Sequence, residues 1–380
     1  MRHLAQAPAA PDRSRVLHVG LPKTGTTALQ AALHVARSDL AAQGVANAAP
    51  RRNRHPLATA RFAVGHPLAH RPDAADNDWK RVVERLRGPD SRVSIFSGEA
   101  LYLASSERAR SIVSEVGGDV QVVVTLRAFG SQLRSLWQQS IVRGGGRTFD
   151  AWARARLNDA TALRRDSPRA ILESWAPAVG EDQIVFMISD PRDRNALFRR
   201  FEELLTLRDG TLEDTRIDNT ALPAEGTEFL RQFNRLDTSR RTDPLSTRAK
   251  ILRHGARQVQ HMPGMRRDPV EVPQWAARGA NEVADDWIRC LEASSATVVG
   301  QLDNLHVDPD DLPAQFIAPG QISVADAARY AYALCDAAVE IHEQSRATPT
   351  PRPEDLPTRQ LLAAVRSRIT RRLTGAGGGR

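Results

Sequence analysis

A lysine set inside a glycine- and threonine-rich turn is the first feature of this chain with chemical content. In His18-Val19-Gly20-Leu21-Pro22-Lys23-Thr24-Gly25-Thr26-Thr27-Ala28-Leu29-Gln30, a short apolar run from Arg15 enters the turn and a helix-forming segment leaves it. In such a strand–loop–helix layout, backbone N–H groups and a helix N-terminus hold an anion. Gly20 and Gly25 stand five apart, as the two glycines of an NTPase phosphate loop do, but Thr26 occupies the position where that loop carries its lysine. The one lysine, Lys23, lies inside the turn instead. Of the 53 basic residues only Lys23, Lys80 and Lys250 are lysines, the other 50 being arginines. A lysine kept in the anion loop of so arginine-biased a chain points to a need for a compact ammonium rather than a planar fork.

Two further constellations carry chemistry. Ser91–Ser97 reads as a buried strand and is followed by Gly98-Glu99. A carboxylate just past such a strand lands at the carboxyl edge of an open α/β sheet, where ligands bind. Glu99 is therefore a candidate general base; the alternative is a helix N-terminal glutamate ahead of Ala100-Leu101-Tyr102, stabilised by the helix dipole. Val120–Leu126 reads as the clearest buried parallel strand and ends in Arg127, with Ser135 eight residues on, two turns into the next helix. An arginine fork and a serine hydroxyl suit one phosphate group. Ser131 is a rival hydroxyl, placed where helix capping is the better role.

Together these residues carry a family resemblance. Pro22-Lys23-Thr24-Gly25-Thr26-Thr27 resembles the 5′-phosphosulfate loop of sulfotransferases that use PAPS (3′-phosphoadenosine 5′-phosphosulfate), with the bacterial and heparan-type carbohydrate branch closest. The spacing of Arg127 and Ser135 resembles the 3′-phosphate motif of that family. Ser97-Gly98-Glu99 is similar to the Ser-Ser-Glu of bacterial relatives, with one departure, and Ile217-Asp218-Asn219-Thr220 stands where relatives show Asn-Glu-Ser. Asn219 is left between a ligand contact and a helix N-cap. The resemblance implies an α/β fold, a P-loop-like three-layer sandwich with a central parallel sheet flanked by helices, plus a mainly helical C-terminal extension. It implies transfer of a sulfonate from PAPS to a hydroxyl or amine, with release of PAP and without a metal. Lys23, Thr24, Gly25, Thr26, Thr27, Arg127 and Ser135 would bind the co-substrate. Lys23 would also stabilise the leaving phosphate and Glu99 would take the acceptor's proton, with His55 in reserve as base.

The remaining sequence sets the frame around these residues. The 380 residues carry a net charge of +8 and a pI near 10.3, favouring an anionic partner, while 41% hydrophobic content is ordinary for a globular chain. A glycan or glycolipid acceptor fits the charge and the resemblance. Nucleic acid is disfavoured, because no stripe of interleaved aromatic and basic residues is present. Cys290 and Cys335 are too few for a disulfide framework, and with no apolar leader or spanning run the expected setting is cytoplasmic.

The expected organisation is a flexible arm over 1–14, a PAPS-binding domain over 15–240, a helical extension over 241–347, and a linker with a basic amphipathic helix over 348–380. That last helix, Thr358–Leu373, offers a peripheral contact to an anionic inner membrane face, or a docking segment on its own domain. His18 and His34 are expected to be packed or surface residues, since nothing near them completes a ligand set. Two other readings stay open: a P-loop nucleotide kinase or NTPase, weakened by the displaced lysine, and a non-catalytic binder of PAP or anionic glycans.

Overall fold

The computed structural model describes residues 2–49, 72–88, 90–214, 222–236, 247–262 and 268–347. Seven strands form one sheet: β1 (Arg2–Leu4), β2 (Arg15–His18), β3 (Val45–Asn47), β4 (Val93–Ser97), β5 (Val120–Leu126), β6 (Ile184–Ile188) and β7 (Thr297–Val299). Their order is β1-β7-β6-β5-β2-β4-β3 and every pairing is parallel. The helices between them are α1 (Thr26–Val35), α2 (Arg37–Ala42), α3 (Pro72–Leu86), α4 (Ser106–Val116), α5 (Phe129–Val142), α6 (Phe149–Leu157) and α7 (Ala160–Arg165). They continue with α8 (Pro168–Val179), α9 (Ala196–Leu205), α10 (Ala224–Arg235), α11 (Thr247–His261), α12 (Gln274–Ala293) and α13 (Val324–Ala347).

Strand periodicity divides the helices between two faces. Along β5, Val123 points into one core with Val16, Val185 and Met187, while Val122 and Val124 join the other with Leu17 and Phe186. The first core is closed by Leu29 and Leu33 of α1, Leu40 of α2, and Phe198, Phe201 and Leu204 of α9. The second is closed by Trp79 of α3, Ile112 of α4, Trp137 of α5, Trp175 of α8 and Trp287 of α12. The outcome is an α/β three-layer sandwich whose central strands, covered on both sides, are buried and largely apolar, with a few buried polar residues such as His18, Ser97 and Thr125.

Two organisational expectations are corrected. Residues 2–4 are an edge strand rather than part of a flexible arm: Arg2–Leu4 pairs with Thr297–Val299, Ala7 N–H donates to Glu203 Oε2 at 2.7 Å, and Ala10 N–H donates to the Leu204 carbonyl at 2.7 Å. A three-residue strand has no room for the apolar periodicity that would announce it. The described part of the segment after 240 is mainly helical, but it also enters the main sheet: β7 is inserted between β6 and β1, and α12 closes the larger core. Among the described residues no helix is long and apolar enough to cross a membrane.

Topology then selects one edge. The chain leaves β2 toward β3 and β4, but leaves β5 toward β6 and β7, so the neighbours β2 and β5 send their following segments in opposite directions. A crevice opens outside the carboxyl ends of strands at such a switch point.

Candidate functional site

The turn after β2 sits at that crevice. Val19 N–H donates to the Val123 carbonyl at 2.8 Å, which keeps the chain against β5 until the turn begins. Gly25 precedes α1 at φ +98°, and its carbonyl accepts from Ala28 and Leu29 N–H. Lys23 also lies in the left-handed region, at φ +66°, a conformation that costs a non-glycine residue about 1 kcal/mol. A Cβ on Gly20 would fall 1.9 Å from Thr26 Oγ1, so only glycine lets the backbone approach that closely. No side chain caps α1 and no acidic residue stands in its first turn. The hydroxyl of Thr26, only 2% exposed, is buried without a hydrogen-bond partner. An uncapped helix N-terminus beside an unpartnered buried hydroxyl is ready for an anion.

Behind the turn lies a string of buried polar groups. Thr24 Oγ1 is 2.8 Å from Thr125 Oγ1 and donates to the Leu21 carbonyl at 2.8 Å. His18 places Nε2 at 3.2 Å from Thr125 Oγ1 and Nδ1 at 2.8 Å from Ser97 Oγ. The imidazole is fully buried and burial pushes its pKa down to about 3. Thr24, placed among the anion ligands by the sequence, thus turns its hydroxyl inward and leaves its backbone N–H for that role.

Glu99 opens a short 3₁₀ turn, Glu99–Leu103, directly after β4. The residue is exposed in part of its surface, and desolvation by the surrounding protein raises the carboxyl pKa, opposed by the positive charges of Lys23 and Arg143. Lys23 is shifted downward by desolvation first, with Glu99 opposing and Arg143 reinforcing the shift. Lys23, Glu99 and Arg143 therefore act on one another. Arg143 ends α5 ahead of three glycines; the sequence offers it as a helix stop or a phosphate or acceptor contact, and its partnership with Glu99 depends on packing that spans 44 residues. Tyr102, on the same turn as Glu99, is pushed up to about 12 by burial and then by Asp166, an aspartate paired to Arg156 at 2.8 Å and to Arg165 at 2.8 Å.

Arg127 leaves the end of β5, two residues after Thr125, where the side chain that touches Thr24 resides. The turn carrying Lys23 and the strand end carrying Arg127 are thus neighbours on one edge. Its pKa is lowered by desolvation and then by the positive charges of Arg134, on α5, and Arg194, after β6. Arg134 Nε is buried without a partner. Ser135 follows it, half-buried on the same helix. Ser131 does not cap α5, whose N-cap is Ala128 with no side-chain bond. Arg134 and Arg194 escape a sequence reading because nothing in their spacing ties them to Arg127.

Several expected residues fall elsewhere. His55, Asn219 and the Thr358–Leu373 segment lie outside the described residues. No family model, curated protein or solved structure matches the chain.

Proposed function

We propose that this chain is a PAPS-dependent sulfotransferase, moving a sulfonate to a hydroxyl or amine of a glycan or glycolipid acceptor and releasing PAP. One observation carries the reading. Two separate groups of cations, Lys23 with Arg143 and Arg127 with Arg134 and Arg194, gather around the turn after β2 and the end of β5, and among the described residues a carboxylate acts on the first group alone. A co-substrate with one reacting anionic end and one inert anionic end fits that division. The P-loop-like character of the sandwich belongs to the same proposal, supported by the glycine-bounded turn and the switch point at β2 and β5.

PAPS, when bound, supplies a sulfonate activated as a phosphosulfate anhydride. The N–H groups of Thr24 to Thr27 and the hydroxyls of Thr26 and Thr27 would hold the 5′-phosphate; the cradle forced by Gly20 and the unpartnered Thr26 hydroxyl fit that role. Arg127 and Ser135 would hold the 3′-phosphate, with Arg134 and Arg194 adding charge. Glu99 takes the acceptor's proton as the acceptor oxygen or nitrogen forms its bond to sulfur, and its raised pKa makes it the stronger base. His55 is the alternative base. Lys23 holds the electron pair that departs on the phosphate oxygen, and an ammonium in a desolvated crevice does this far better than one in water. Positioning and electrostatics supply the remainder, as in phosphoryl transfer.

Calorimetry with PAP and with Mg-ATP tests the reading. The expected result is tight binding of PAP alone. A preference for Mg-ATP would replace the sulfotransferase with a nucleotide kinase or NTPase.

A further inference from the structure

The polar string beneath the turn has only one arrangement of protons. A hydroxyl carries one hydrogen, and a neutral imidazole carries one N–H. Thr24 spends its hydrogen on the Leu21 carbonyl at 2.8 Å, so in its 2.8 Å contact with Thr125 the donor is Thr125. Thr125 then has none left, and at 3.2 Å His18 Nε2 must donate to it. An imidazole protonated at Nε2 has a bare Nδ1, which accepts from Ser97 Oγ at 2.8 Å. His18 is fully buried, with the Phe201 ring edge-on at 5.2 Å, and its two bonds among the described residues run to hydroxyls, Ser97 and Thr125.

The string reaches the three elements that bear Lys23, Glu99 and Arg127. Ser97 stands two residues before Glu99, Thr125 two before Arg127, and Thr24 follows Lys23. Backbone pairing sets His18 opposite Ser97 on one side and opposite Val123, two residues before Thr125, on the other, so the hydroxyls converge on the imidazole by register. Gln30 of α1 adds a tie, donating to the Ser97 carbonyl at 3.1 Å.

We propose that His18 is a positioning residue: as the Nε2-protonated neutral imidazole, it joins the ends of β4 and β5 to the anion-binding turn through one ordered chain of hydrogen bonds, and so sets Lys23 relative to Glu99 and Arg127. Its effect on turnover rests on the sulfotransferase reading; the ordering of the turn does not. Thr125 is the link on which the turn depends, because cutting there detaches Thr24 from β5 and leaves it only its bond to Leu21 within the turn, whereas cutting at Ser97 leaves the His18–Thr125–Thr24 segment whole.

The full chain labelled with ¹⁵N-histidine tests the proton order. The expected His18 signal has Nε2 protonated and Nδ1 bare, and it holds from pH 8 down to about pH 5 while ordinary histidines titrate. A proton on Nδ1, or titration with the others, overturns the proposal. Thr125→Val, Thr125→Ser and Ser97→Ala then test the linkage by amide hydrogen exchange at Gly25 to Thr27. Thr125→Val should speed that exchange about tenfold, Ser97→Ala about twofold or less, and Thr125→Ser should restore the slow rate. PAP affinity should follow the same order, falling about tenfold only in Thr125→Val. No acceleration in Thr125→Val, or equal acceleration in Thr125→Val and Ser97→Ala, overturns the proposal. An unaltered chain that fails to bind PAP sinks the sulfotransferase reading instead, and the nitrogen and exchange signals still decide the role of His18.

Discussion

The crevice has two ends built on opposite electrostatic plans. At the β2–β4 end, a carboxylate faces two cations, and desolvation pulls the pKa values of Lys23 and Glu99 toward each other. At the β5–β6 end, Arg127 is crowded by Arg134 and Arg194, and among the described residues the charges that shift its pKa are repulsive. Groups poised between protonation states suit proton and charge movement. Guanidiniums remain charged at any accessible pH, so a cluster of them can grip an anion but takes no part in proton transfer. The comparison assigns chemistry to one end and retention to the other.

Replacing the charged groups at the first end should break catalysis most severely. Lys23→Ala and Glu99→Gln are each expected to lower kcat by about 10²–10⁴-fold, and Glu99→Gln should leave PAP affinity within about twofold of the unaltered chain. Steady-state kinetics with calorimetry checks both; full turnover in Glu99→Gln would move the base elsewhere, with His55 next. The pH profile sharpens the same point. Activity should rise as Glu99 loses its proton, above the ordinary carboxylate range, and fall as Lys23 loses its own, below the ordinary lysine range. Lys23→Arg should erase the alkaline limb whatever rate survives, because arginine does not deprotonate there.

A smaller effect concerns stability. Because the Glu99 pKa is raised on folding, the folded state holds its proton more tightly, and stability drops as pH rises from the unfolded value through the folded one. Glu99→Gln should therefore raise Tm at neutral pH, an exchange of activity for stability common at reactive sites. At the retention end, Arg127→Ala removes one of three like charges and should raise the ligand-free Tm by on the order of 1 °C. Thermal scans with and without PAP separate the two ends: ligand should stabilise Glu99→Gln strongly and Arg127→Ala weakly.

How much of this was legible in the sequence differs between the same regions. The central strands β2, β4, β5 and β6 announce themselves because both faces are buried and their runs are apolar. The edge strands β1 and β3, and β7 beside β1, have three residues each, too few for a pattern. Lys23, Glu99 and Arg127 stand out because each follows a strand. Arg143, Arg134 and Arg194 are indistinguishable by type from the other arginines, and only packing brings them in. For His18 the sequence leaves packed and surface positions open; the residue is buried, and its hydrogen-bond role is not legible from its own neighbours in the chain. The available signal was a polar residue at or near the end of each of three adjacent buried strands: His18, Ser97 and Thr125.

Affinity for PAP against adenosine 5′-monophosphate, which lacks the 3′-phosphate, measures the two-ended grip most directly when taken in the unaltered chain, Lys23→Ala and Arg127→Ala. Preference for PAP should be about 10- to 100-fold in the unaltered chain, persist in Lys23→Ala, and collapse in Arg127→Ala. A preference that survives loss of Arg127 would show that β5 does not hold the inert end, and the division of labour between the two ends would be refuted.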